Sequence, residues 1–209
     1  RLHEYSRVYA IPGLYEEVVQ RRLRCETPDK LADLLLRCAA DAGVEPRQLA
    51  AFDLGAGNGV LGEVLRERGV GTLIGSDNIA EARDAALRDR PDLYAEYLVG
   101  DTDELPQIPD LVREHGLNVL VAAGALGLGH VTAGSFQRLW SAFPAGSWYV
   151  VSLHEDLAEP GGSDFGDYLA ALDGGDGGDT ILARERYRHR LTMSGEPIHY
   201  LAIAVRKAT

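Results

Sequence analysis

Ala51-Phe52-Asp53-Leu54-Gly55-Ala56-Gly57-Asn58-Gly59-Val60-Leu61-Gly62 is the stretch that decides the fold. An apolar run ends in an acidic residue, passes into a glycine-rich turn, and enters what reads as the first turn of a helix. Strand, tight loop and helix N-terminus in that order are the place where a parallel α/β sheet offers backbone N–H groups to a nucleotide-like ligand. Glycine lets the turn adopt positive φ and lets a flat ligand approach the backbone without a Cβ in the way. The stretch therefore predicts a nucleoside-containing cofactor.

Working outward, the chain alternates. Residues 49–54, 71–76, 94–99, 118–123 and 148–153 read as strands, and 60–68, 80–88, 110–115 and 133–143 as the helices between them. Short apolar runs separated by helices of about ten residues predict a mostly parallel, doubly wound sheet. Upstream, Thr27 reads as an N-cap, with Pro28 in the first helical position. Leu31, Leu34, Leu35 and Cys38 follow at helical spacing, and Gly43 is the stop signal. Residues 1–25 are polar and carry Tyr5, Tyr9 and Tyr15, with a short helix expected over 14–24. Downstream, 181–193 and 199–206 read as extended, joined by the turn Ser194-Gly195-Glu196-Pro197. Consecutive strands with a short turn form a hairpin, so one of them must run antiparallel. Between them and the core lie a short helix over 165–172 and Gly174-Gly175-Asp176-Gly177-Gly178, read as a mobile loop. Trp140 and Phe143 fall on one helix face and read as core. The whole is expected to be one domain: 1–26 as a helical N-terminal lid, 27–156 as a cofactor-binding core, and 157–209 as loop, helix and terminal hairpin.

At 209 residues the chain is long enough to bury a full core, and its 45% hydrophobic and 25% charged residues are those of a globular protein. Its formal charge of −11 argues against nucleic acid or an anionic membrane as partner, since both attract clustered Lys and Arg. The basic clusters at 21–24 and 184–190 read as solvated faces. Cys25 and Cys38 have neither disulfide-framework nor zinc-site spacing and fit a reducing compartment. No apolar run approaches the ~18 residues of a membrane span, and a cytoplasmic location is expected.

Asp53, Asp77 and Asp101 fall at or just after the ends of three successive strands. In a parallel sheet those ends open on one edge, the ligand edge of such folds. Asp53 can accept from loop N–H groups or a cationic amine. Asp77, about twenty residues beyond the glycine turn, suits ribose hydroxyls, and Asp101 suits an exocyclic amine such as adenine's. Gly57-x-Gly59-x-x-Gly62 also matches the dinucleotide fingerprint, so an NAD(P)-dependent oxidoreductase is an alternative. None of the nine tyrosines, however, has a lysine four positions later, and no GxxxxGK[ST] phosphate loop occurs.

Asp53-Leu-Gly55-Ala-Gly57-Asn-Gly59, Ser76-Asp77-Asn78 and Gly100-Asp101-Thr102 resemble the ordered motifs of class I S-adenosylmethionine-dependent methyltransferases. Gly129-His130-Val131 resembles a segment of the small methyltransferase-like family that includes the Williams–Beuren-region protein. The resemblance covers roughly residues 50–155. It implies a seven-stranded sheet closed by one antiparallel strand, with Asp53 and Gly55, Ala56, Gly57, Asn58 and Gly59 on the methionine part of the cofactor. It places Asp77 on the ribose and Asp101 with Thr102 on the adenine; Asn78, Gly100 and Ala123 complete the expected contacts. Nucleic-acid enzymes that methylate base amines carry Asn/Asp-Pro-Pro-Tyr after the fourth strand. Here the place reads Ala122-Ala123-Gly124-Ala125, which argues against that chemistry.

Methyl transfer from a sulfonium is an in-line displacement that needs chiefly alignment and desolvation. Where the acceptor must lose a proton, a base is required. His130 and His154, after the fourth and fifth strands, are the candidates, although His130 could equally cap the next helix. Tyr5, Tyr9 and Tyr15 are the candidate substrate contacts, or simply surface packing. The expectation is a methyltransferase acting on a small-molecule acceptor with S-adenosylmethionine, monomeric or homodimeric and without a metal. The alternatives are the oxidoreductase and a non-catalytic binder of the methyl donor or its demethylated product.

Overall fold

The computed structural model describes residues 4–127, 131–175 and 178–209. Seven strands form one sheet: β1 Ala51–Leu54, β2 Leu73–Asp77, β3 Glu96–Val99, β4 Val119–Ala122, β5 Trp148–His154, β6 Thr180–Leu191 and β7 Pro197–Arg206. Their order across the sheet is β3-β2-β1-β4-β5-β7-β6. β1 to β5 are mutually parallel, and β7 runs antiparallel to both β5 and β6. The connections reverse direction between β1 and β4, which leaves a crevice at the carboxyl ends of those two strands.

The helices are α1 Tyr5–Tyr9, α2 Thr27–Asp41, α3 Val60–Glu67, α4 Ala80–Asp89, α5 Ile108–Glu114, α6 Ala133–Ser141 and α7 Asp164–Asp173. Side chains of a strand point alternately to the two faces, so β1 feeds two cores. Phe52 and Leu54 join Leu120 and Tyr149 under Phe136, Trp140 and Phe165 of α6 and α7. Ala51 joins Val119, Val121 and Val150 under Leu31, Leu34 and Leu35 of α2 and Leu61 and Leu65 of α3. Trp140 and Phe143 are core residues, as their spacing predicts. Among the described residues no helix is long and apolar enough to cross a membrane.

Differences from expectation have local causes. The helix expected over 14–24 is a wide-turn π-helix, Glu16–Arg22, whose end is set by Leu23 N–H donating to Val18 O at 2.9 Å. The extra residue per turn has no signature in a 3.6-residue period. Thr27 does not cap α2. It lies inside the first turn behind Glu26, and its hydroxyl bonds Tyr187 and His189 instead. Gly43, with φ +71°, ends α2 as expected: its N–H bonds Ala40 O at 2.9 Å and that of Val44 bonds Ala39 O at 2.9 Å. Of the glycine loop 174–178, Asp176 and Gly177 lie outside the described residues.

Candidate active site

The turn after β1 is braced from three sides. Gly55 has φ +69°, and a Cβ there would run into the Ala125 side chain beyond β4. Gly57 has φ +56°, and a Cβ there would stand 2.5 Å from the Tyr9 hydroxyl. No other residue type meets both demands without strain. Asp77, at the end of β2, holds the turn: its Oδ2 accepts from Gly57 N–H at 3.0 Å and its Oδ1 from Ile79 N–H at 3.0 Å. The Tyr97 hydroxyl donates to Gly57 O at 2.6 Å, and Gly59 N–H closes the turn on Ala56 O at 2.9 Å.

Asp53 is 1% exposed. Its Oδ2 accepts from the Tyr94 hydroxyl at 2.7 Å, while its Oδ1 has no partner among the described residues. Burial raises its pKa to about 7, opposed by the Tyr94 hydrogen bond and assisted by the nearby Asp77 charge. Ser76 Oγ and Thr102 Oγ1 are likewise buried and without a partner among the described residues. Asp101 accepts from Asp103 N–H at 3.1 Å, which turns the chain after β3 back toward the crevice.

These groups line one cavity of about 410 Å³, within the range of small-ligand sites. Asp53, Gly55, Ala56, Gly57, Asn58, Asp77, Asn78, Gly100, Asp101, Thr102 and Ala123 are on its wall, as are Tyr5, Tyr9 and Tyr15. Gly59 is not: it faces Leu93, Arg90 and Tyr94 on the other side of the turn. Asn58 presents its backbone, because its side-chain amide donates to Glu16 Oε1 at 2.6 Å. The same Glu16 oxygen takes Arg90 Nη1 at 2.9 Å, and Arg90, whose side chain is 9% exposed, also reaches Asn58 O at 3.1 Å and Glu63 at 2.9 Å. This clasp fixes the N-terminal segment over the glycine turn. Tyr9 and Tyr15 pack there with ring centroids 5.2 Å apart.

The orphaned oxygens of Asp53, Ser76 and Thr102, with the Asp77 and Asp101 carboxylates, suit a ligand that brings N–H, O–H and positive charge. An adenosyl sulfonium amino acid has those groups, so the residues present fit the cofactor that the sequence resemblance implies.

The far end of the cavity was not foreseen. There Thr27 Oγ1 lies 2.8 Å from the Tyr187 hydroxyl and 2.6 Å from His189 Nδ1. His189 stacks on Tyr200 with centroids 4.1 Å apart, and Cys25 Sγ is 4.0 Å from its Nδ1. Burial, then the charges of Arg190 and His154, lowers His189 to about 4, leaving it neutral near pH 7. Cys25, Thr27, His189, Arg190 and Tyr200 all line the cavity. The one sequence signal was Tyr187 and His189 two apart on a strand, sharing a sheet face.

His154 stands behind this wall. Its ring meets Tyr200 edge-on at 5.4 Å, and its Nδ1 accepts from Asp156 N–H at 3.3 Å, capping the turn after β5. It does not reach the cavity lining. His130 lies outside the described residues, whereas its neighbour Val131 lines the cavity.

No known family's sequence model matches the chain, and no curated protein matches its sequence. Solved structures do match in fold. Magnesium protoporphyrin IX methyltransferase from Synechocystis, solved with S-adenosylmethionine bound, is 14% identical, with TM-score 0.59 over 86% of this chain and 79% of that one. An S-adenosylmethionine-dependent methyltransferase from Mesorhizobium loti is 19% identical, with TM-score 0.55 over 81% and 96%. The ribosomal protein L11 methylase of Lactobacillus delbrueckii is 17% identical, with TM-score 0.54 over 87% and 79%. The chain has the Rossmann-like fold of class I methyltransferases, a fold whose members here differ in acceptor.

Proposed function

We propose that the protein transfers a methyl group from S-adenosylmethionine to a small-molecule acceptor. One observation carries the reading: Asp53 near the end of β1, Asp77 at the end of β2 and Asp101 after β3 converge on a single cavity with the glycine turn. On this reading Asp53 meets the ammonium of the methionine part over Gly55 and Ala56. Asp77 and Asn78 meet the ribose, and Asp101 with Thr102 meets the adenine edge. When bound, the cofactor supplies an electrophilic methyl on a good leaving group. The protein then aligns the acceptor, excludes water through the N-terminal segment and Tyr9, and holds the acceptor against the Thr27–His189–Tyr200 wall.

The dinucleotide reading fares worse for a specific reason. A pyrophosphate needs the N–H groups of the turn, and two of these, Gly57 and Gly59, are already bonded to Asp77 and Ala56 O. The Asp77 carboxylate would also stand beside its negative charge.

A small acceptor fits a cavity of about 410 Å³, and a net charge of −11 disfavours nucleic acid as the partner. We take the working form to be a cytoplasmic monomer or homodimer. Incubation with radiolabelled S-adenosylmethionine and separate pools of small acids, phenols, amines, RNA and protein tests this. Label is expected in a small-molecule pool; label confined to RNA or protein contradicts the reading.

A further inference from the structure

We propose that Arg190 binds a carboxylate of the acceptor, so that the acceptor is a small aromatic acid lying against Tyr15 and Tyr200. This rests on the methyl-donor reading for which end of the cavity takes the acceptor.

The register of β6 against β7 shifts between Arg188 and Arg190. Such a bulge breaks the alternation of side chains and re-aims one of them. Two consecutive residues, His189 and Arg190, therefore both line the cavity. The other arginines of this strand are paired: Arg184 with Asp173 at 3.0 Å, Arg186 with Glu155 at 2.6 Å, and Arg188 with Glu26. Arg190 has no acidic partner among the described residues; its Nη1 donates to Leu191 O at 3.0 Å. No other Arg or Lys lines the cavity among the described residues, and His189 is neutral near pH 7 because burial lowers it to about 4.

A half-buried guanidinium without a counter-ion is poorly placed unless a ligand supplies one. Its fork of N–H donors matches a carboxylate in two-point fashion. The surrounding wall is aromatic: Tyr9 with Tyr15 at 5.2 Å and His189 with Tyr200 at 4.1 Å. Flat rings beside a lone cation select a flat anion.

Two carboxylates could meet Arg190, the acceptor's or that of the cofactor's methionine part. The strand order favours the first. The cofactor crevice lies between β1 and β4, and β5 and β7 separate it from β6.

The test is calorimetric titration of 4-hydroxybenzoate and of 4-hydroxybenzamide, its neutral isostere, into protein saturated with S-adenosylhomocysteine. Wild type is expected to bind the acid at least tenfold more tightly than the amide. Arg190→Gln should level the two to within twofold, Arg190→Lys should keep part of the preference, and S-adenosylhomocysteine affinity should stay within twofold in both. The lysine variant separates loss of charge from loss of folding. Equal binding of acid and amide, binding of neither, or an undiminished preference in Arg190→Gln overturns the proposal. So does an Arg190→Gln protein weakened toward S-adenosylhomocysteine rather than the acid. Failure of the methyl-donor reading shows separately, as no S-adenosylhomocysteine binding to wild type; the acid and amide titrations on unloaded protein then still decide Arg190.

Discussion

Asp53 has one oxygen on the Tyr94 hydroxyl and the other without a partner among the described residues, and burial lifts its pKa to about 7. In the unfolded chain the same group ionises near 3.8. The folded protein thus holds this proton more tightly, so the contribution to stability is full below the unfolded value and is lost as pH rises through about 7. Melting temperatures taken from about pH 5 to 8 should fall more steeply for wild type than for Asp53→Asn; parallel curves would contradict the burial argument. A ligand ammonium placed against Asp53 favours the ionised form. S-adenosylhomocysteine should therefore bind more tightly as pH rises through about 7 and release a proton, read as a heat that depends on the buffer. Asp77 acts at the same scale but twice over, since it holds the Gly57 and Ile79 N–H groups as well as facing the cavity. Asp77→Ala should weaken S-adenosylhomocysteine by about 2 kcal/mol. Unchanged affinity would remove Asp77 from the site.

At the scale of elements, the clasp from Glu16 to Asn58 and to the buried Arg90 holds the N-terminal segment together with Arg88 Nη1 on Tyr9 O and Leu191 N–H on Leu23 O. Removing the carboxylate leaves a buried guanidinium short of a partner, at a cost of roughly 1–3 kcal/mol. Glu16→Ala should speed tryptic cleavage after Arg21 and Arg22, and S-adenosylhomocysteine should slow it again; an unchanged cleavage rate would show that the clasp does not hold the segment. Which elements could be read beforehand follows from how local their causes are. Val119–Ala122 is buried on both faces and reads as an unbroken apolar run. Asp53, Asp77 and Asp101 are legible because strand ends of a parallel sheet share an edge. The Thr27–Tyr187–His189–Tyr200 wall is not, since it joins α2, β6 and β7 through a bulge that no propensity announces. Thr27 reads as a cap because capping is its commonest local role, and only the fold supplies Tyr187 as a competing partner. Gly59 reads as a ligand contact because the motif cannot tell a glycine needed by the turn from one needed by the ligand.

At the scale of the whole molecule, three carboxylates facing one cavity on a chain of charge −11 select for a cationic ligand and against a pyrophosphate. The strand order places the crevice between β1 and β4 near the middle of the sheet and the β6–β7 hairpin at one edge. One end of the cavity can thereby hold an adenosyl group while the other holds an acceptor. Titration calorimetry of the purified protein with S-adenosylmethionine, S-adenosylhomocysteine, NAD and NADP measures that claim most directly. Saturable one-to-one binding of the first two, weakened in Asp77→Ala, and no binding of either dinucleotide are expected. Saturable binding of NAD or NADP, with none of S-adenosylhomocysteine, would contradict that claim.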